Sequence, residues 1–102
     1  MVFLTEPHST WLRPVAGSGE SFELIKRARF SIDPENPYGQ GVCGRAFRTQ
    51  RPCVNNDIQN SEQGRPWREA GHETGVVACV AVPLVKAGVS VGVSGSLPRL
   101  PR

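Results

Sequence analysis

The apolar positions of this chain fall into short runs with different spacings. Val76 to Leu84 is the strongest of them, nine residues of which every one is apolar and four are valine. A run of that length without polar alternation predicts a central strand buried on both faces. Lys86-Ala87-Gly88 then turns the chain. Val89, Val91 and Val93 alternate with Ser90, Gly92 and Ser94, the period-two pattern of a hairpin partner. Earlier, Val42, Cys43, Ala46 and Phe47 gather on one side of a helical period, with Arg45, Arg48 and Gln50 on the other. This predicts a short amphipathic helix, opened by Gly39-Gln40-Gly41 and stopped at Arg51-Pro52, because the residue before a proline disfavours the α region.

The weaker patterns fill in the rest. Thr10 to Ala16 is rich in strand formers, and Pro14, which cannot donate a ladder hydrogen bond, points to an edge or a bulge. Phe22 and Ile25 share a helical face, predicting a short helix over Glu20–Arg27. Phe30 and Ile32 alternate with polar neighbours before Asp33-Pro34-Glu35-Asn36-Pro37, whose two prolines predict an irregular loop. Cys53-Val54-Asn55 reads as a short strand. Gly64-Arg65-Pro66-Trp67 opens a second helix with proline in its first turn, Trp67, Ala70 and Thr74 on one face, and Gly75 as its stop. The final Ser96-Leu97-Pro98-Arg99-Leu100-Pro101-Arg102 is expected to fray. The order predicts an α+β fold, a mostly antiparallel sheet carrying short helices and loops. The valine-rich strand needs cover on both sides, and the sequence leaves one face thinly covered.

Composition narrows the function classes. A length of 102 residues gives one domain, and eleven glycines with nine prolines imply more turns than a helical bundle needs. No basic region followed by an apolar one opens the chain, and no apolar run approaches the roughly 20 residues of a membrane helix, so the expectation is a cytoplasmic protein without a membrane partner. The net charge is +3, with the bases scattered among acids rather than forming a stripe interleaved with aromatics. Nucleic acid is therefore not the expected partner. Cys43, Cys53 and Cys79 form an odd set without a C-x-x-C spacing, which reads as reduced thiols, and with only His8 and His72 beside them no zinc set forms. No metal and no cofactor is expected.

The run Ile32 to Pro52, containing Gly39-Gln40-Gly41, Gly44-Arg45-Ala46 and Thr49-Gln50-Arg51-Pro52, resembles the middle of bacterial GAF domains. The resemblance continues through Val54-Asn55-Asn56-Asp57-Ile58, Pro66-Trp67-Arg68-Glu69-Ala70, the strand Ala78–Leu84 ending in Val82-Pro83-Leu84, and Gly88–Val93. Trp11 to Gly17 is similar to an early strand of that family. The resemblance implies a GAF-like, PAS-related sheet over residues 10–93. Residues 1–9 are then a lead-in and residues 94–102 a frayed Pro/Arg tail. It also implies an incomplete domain at both ends, lacking a first helix and a first central strand at the start and a further strand and a long helix at the end, as in a fragment or a truncated reading frame.

By the same resemblance, the chain is a regulatory or sensory module of a bacterial signalling protein without catalysis of its own. Its implied partners are a small-molecule ligand, a second copy of itself and an output domain. Candidate ligand-binding residues are Val42, Cys43, Phe47, Asp57 and Trp67, in the segment that encloses the ligand in this family. Gly39 and Gly41 either shape a turn or let helix N–H groups face an anion. Asp57 is either a loop carboxylate or a ligand contact, and Trp67 either core or a stacking platform. One alternative is enzymatic. Free methionine-(R)-sulfoxide reductases of the same fold carry Gly-Val-Cys-Gly where this chain has Val42-Cys43-Gly44, with a second cysteine ten residues on, as Cys53 is here. There a thiolate attacks the sulfoxide and a second thiol resolves the sulfenic acid. The enzymes' main nucleophile lies in a loop that Trp67-Arg68-Glu69-Ala70 replaces here, and Cys79, amid valines and alanines, reads as an apolar packer. Redox sensing through Cys43 and Cys53 is a related alternative. A further one is a degenerate fragment acting only in self-association.

Overall fold

The computed structural model describes residues 1–17 and 28–96. The helix expected over Glu20–Arg27 and the tail from Leu97 lie outside the described residues. The remainder runs β1 (Val2–Thr5), β2 (Trp11–Ala16), β3 (Phe30–Ser31), a 3-10 turn (Pro37–Gly39), α1 (Val42–Thr49), β4 (Cys53–Asn55), a second 3-10 turn (Arg65–Trp67), α2 (Arg68–Thr74), β5 (Cys79–Lys86) and β6 (Val89–Ser96). The six strands make one sheet in the order β3-β2-β1-β6-β5-β4, with every pair antiparallel.

Three expectations change here. Residues 2–5 are not a lead-in but a strand at the heart of the sheet, pairing with β2 on one side and β6 on the other. Four residues carry too little periodicity to announce themselves, and the pairing on both flanks supplies what propensity does not. The tail begins later than residue 94, because Ser94 pairs with Val2 and Gly95 donates its N–H to the Met1 carbonyl oxygen at 2.7 Å. Strand β2 is internal to the sheet. Pro14 is nevertheless accommodated, since β3 pairs only with Trp11 and Leu12 and the register against β1 shifts between Val2 and Phe3.

The valine-rich run is also not one strand buried on both faces. Its first residues stand outside β5, with Val76 buried and the Val77 carbonyl accepting from the Ile58 N–H at 3.1 Å. From Cys79 onward Ala81 faces the core, whereas Val82 remains 44% exposed and Val54, on the same face, 53%. The register puts Val2, Ser94 and Val82 in one row across three strands, and Leu4, Gly92 and Leu84 in the next. This second face of the sheet is the open one.

The core lies on the other face. Phe3, Leu12, Ala81 and Val93 from the sheet meet Val42, Cys43 and Ala46 from α1. The helix packs closely because Gly44 has no side chain. A β-carbon there would strike the Gly39 carbonyl oxygen and stand 2.7 Å from that of Ser31. Two hydrogen bonds pin its C-terminal end to the β5–β6 hairpin, Ser90 Oγ to the Phe47 carbonyl oxygen (2.7 Å) and Gln50 Nε2 to that of Gly88 (2.9 Å). The expected loop at Asp33–Pro37 is a capped turn. Asn36 Oδ1 accepts from the Tyr38 N–H at 2.9 Å, which starts the first 3-10 turn at Pro37 despite the prolines, since proline suits a helical first position.

Candidate functional site

Where α1 and α2 approach the core face of the sheet, they do not close on it. A cleft with an interior of about 70 Å³ remains, walled by Phe3, Phe30, Val42, Cys43, Trp67 and Cys79, with Asn55, Gln63, Ser96 and the N-terminal Met1 as polar or charged members of its lining. Each element delivers its residues for a local reason. Phe3 and Phe30 come from strand alternation in β1 and β3. Val42 and Cys43 are the first core-facing residues of α1. Gly75, at φ 77°, ends α2 by donating its N–H to the Gly71 carbonyl oxygen, a left-handed stop that glycine adopts without strain.

The aromatic side of the cleft is a connected stack. Trp67 lies parallel to Phe30, with centroids 5.5 Å apart and 15° between planes, and meets Tyr38 edge-on at 6.1 Å. Phe30 continues to Phe3 at 5.0 Å, and Tyr38 to Trp11 at 5.9 Å, over which the Arg29 guanidinium sits at 3.9 Å. Trp67 Nε1–H donates to the Arg29 carbonyl oxygen at 3.0 Å. The indole is fixed at both its apolar and its polar end.

The sulfur side is neutral. Burial, with a smaller contribution from nearby Cys79 and Cys53, pushes the Cys43 thiol up to about 12 from 9.0. Burial first, then Cys53, pushes Cys79 up to about 11. All three cysteines are free. Among the described residues no group of three or more His, Cys, Asp or Glu is arranged to hold a metal ion.

Of the residues singled out from sequence, Val42, Cys43 and Trp67 line the cleft together. Phe47 and Asp57 do not. Phe47 packs against the core farther along α1, where Ser90 bonds its carbonyl. Asp57 turns back on its own loop, accepting from Asn60 at its backbone N–H (3.3 Å) and side-chain amide (3.0 Å). Cys53 stands in β4 beside the core and outside the lining. Gly41 does not present an anion site, because the Trp67 ring lies across it. Sequence reasoning missed Phe3, Asn55, Gln63 and Cys79. Phe30 carried a signal in its alternation with Ile32, but nothing in the sequence tied it to Trp67.

The GAF domain family profile matches residues 2–96. The chain belongs to the GAF family. The antiparallel six-stranded sheet with two short helices is a GAF fold, and GAF domains as a family are regulatory or sensory modules. Curated protein sequences give no significant match. Among solved structures, the chain is similar to a free methionine-R-sulfoxide reductase from Neisseria meningitidis in complex with its substrate. That pair shares 20% identity and a TM-score of 0.60 over 94% of this chain and 48% of the reductase. An A. aeolicus NlH2 GAF domain in an inactive state gives 18% identity and a TM-score of 0.66 over 99% of this chain and 57% of that one. A hypothetical protein from S. aureus gives 18% and 0.60 over 99% and 79%. This chain therefore spans about half the length of the first two. Among the described residues no helix is long and apolar enough to cross a membrane.

Proposed function

We propose that this chain is a sensory module of a bacterial signalling protein, acting in the cytoplasm, which binds a small molecule in the cleft and relays its occupancy to an output domain. The observation that carries this reading is the cleft itself, a concave and largely apolar space with a few polar groups between sheet and helices, as small-molecule sites generally are. The relay reading is supported by the position of Trp67. Its indole lines the cleft and lies against Gly41 at the start of α1, so in this reading a ligand that displaces the ring acts on the helix. A thermal-shift screen of metabolites tests the binding. A ligand at a hundred times its Kd stabilises the folded chain by about 2.7 kcal/mol. No shift from any compound, together with an unchanged Trp67 environment, defeats the reading.

The proposal includes self-association through the open face. Val82 and Val54 leave apolar area in water there, and covering it is favourable at roughly 25 cal/mol per Å². A thiol reductase is the weaker reading. It rests on Cys43 and Cys53 and on likeness to the N. meningitidis enzyme. Against it stands the burial that keeps Cys43 protonated, since the attacking species is a thiolate. Turnover of free methionine sulfoxide with a thioredoxin system, abolished by Cys43→Ala, would promote it.

A further inference from the structure

We propose that the sulfur wall of the cleft binds one soft monovalent cation of the copper(I) class, held by the thiolates of Cys43 and Cys79 with Met1 beside them. This goes beyond the small-molecule reading and does not rest on it.

The convergence of sulfur carries the proposal. The sequence holds three cysteines and one methionine. They come from four separate places in the fold: Met1 ahead of β1, Cys43 in the first turn of α1, Cys53 at the start of β4 and Cys79 at the start of β5. All four pack in one core cluster, and three of them, Met1, Cys43 and Cys79, line the cleft. Filling a core asks only for apolar volume, which alanine or valine supplies as well as a thiol does. It gives no reason for every sulfur of the chain to meet at one place.

The strand register fixes part of the geometry. Cys53 stands opposite Ala81 and Asn55 opposite Cys79, so Cys53 and Cys79 are diagonal neighbours on one face of the β4–β5 pair. Such diagonals lie about 7–8 Å apart, beyond the 4.4–6.8 Å or so between the α-carbons of a disulfide. This pair therefore remains as thiols while the strands keep their register, and all three cysteines are free. Cys43 descends from α1, near enough that Cys79 and Cys53 both act on its ionisation. An ion bridges sulfurs that cannot bond to each other, because each metal–sulfur bond adds about 2.3 Å to the reach.

Donor chemistry selects the ion. Thiolates and thioethers are soft ligands that suit copper(I). Zinc takes a tetrahedral set of four, and among the described residues no group of three or more His, Cys, Asp or Glu is arranged to hold a metal. Copper(I) accepts a smaller, sulfur-only set. The interior of about 70 Å³ is several times the 10–15 Å³ or so that one water needs, so an ion reaches the sulfurs without the core opening.

Binding exchanges protons for metal. Burial keeps the Cys43 and Cys79 thiols protonated at neutral pH. Two Cu–S bonds form as two S–H bonds break, both protons pass to water, and no electron is transferred. Among the described residues, the groups acting on these thiols are each other, Cys53 and the Met1 ammonium. The ammonium favours the Cys43 thiolate and offsets part of the negative charge of the dithiolate complex.

Anaerobic titration of the reduced, intact chain with copper(I), in competition with a chromophoric bathocuproine chelator, tests this. One ion per chain is expected. Its affinity should rise about a hundredfold per pH unit around neutrality, because two protons leave for each ion bound. Cys43→Ala and Cys79→Ala should each weaken binding by about a hundredfold or more, and Cys53→Ala by less than about tenfold. The pH dependence is read on the parent chain, so it decides the matter even where a variant folds poorly. No copper retained against the chelator, an affinity independent of pH, or equal losses in all three variants would overturn the proposal. Each of those results leaves the small-molecule reading to its own metabolite screen.

Discussion

The ring of Trp67 occupies the place that a β-carbon on residue 41 would need, 2.5 Å from its nearest ring carbon. Gly41 and Trp67 thus fit each other as a glycine notch and an indole. Gly41→Ala should push the indole off its stack with Phe30 and lengthen its bond to the Arg29 carbonyl. Overpacking of this kind costs about 1–3 kcal/mol. Urea unfolding checks the loss of stability, and a red-shifted tryptophan emission in a Trp11→Phe background checks its cause.

Arg48 holds the turn before α1 to the helix. One guanidinium nitrogen serves two carbonyl oxygens, those of Ile32 and Gly39. Arg48→Ala should destabilise the chain by about 1–3 kcal/mol, as loss of charged hydrogen bonds does. Arg48→Lys should recover part of that, read as the shift in urea midpoint at constant slope.

The Cys43 thiol gives stability a dependence on alkaline pH. Its folded value, about 12, lies above the 9.0 of an unburied thiol, so the unfolded chain releases its proton first. The stabilisation is complete below pH 9 and drains away as the pH rises towards 12. The melting temperature should fall over that window, and less steeply in Cys43→Ala. In the folded protein Cys43 should resist iodoacetamide at pH 8 while unfolded chains react, as mass spectrometry of alkylated peptides would show.

The β5–β6 turn carries a residue poorly suited to it. Ala87 and Gly88 both have positive φ, 52° and 79°, the backbone of a two-residue turn that favours Asn-Gly. Ala87→Asn should raise stability by about 0.5–1 kcal/mol, relieving a left-handed alanine. A melting temperature equal to or below that of the parent would contradict this.

Self-association should depend on the open face. Val82→Lys places a charge among Val2, Val54 and Leu84 without touching the cleft. Sedimentation equilibrium at micromolar concentration should show a dimer or larger species for the parent and a monomer for the variant. A monomeric parent would remove this part of the proposed function.

How far the sequence revealed these features depended on how local they were. Helix α1 was legible because four apolar residues and a proline stop lie within a dozen positions, and the β5–β6 hairpin because two alternating runs flank a glycine turn. Val42 and Cys43 of the cleft followed from the same helix, and Trp67 from the proline turn before α2. What stayed hidden depends on distant partners. β1 is four residues long and exists through Gly92–Ser94, some ninety positions away. Cys79 looked like a packer within its strand, and only the gap between α2 and the sheet makes it part of a wall. Asp57 misled because carboxylates that cap their own loop look the same in sequence as those that meet a ligand.

The pairing of Val2–Leu4 with Gly92–Ser94 also sets the order of events at the ribosome. Translation delivers β1 first, yet its second flank and the Val93 contact of Phe3 cannot form until β6 has emerged. Until then the nascent chain holds β1 as an unsatisfied edge, joined only to β2, with Phe3 lacking half its cover. Such an edge invites pairing with other chains. Bringing together segments so far apart also costs loop entropy before any contact repays it. The exposed edge of β1 is therefore expected to be an aggregation risk until β6 arrives.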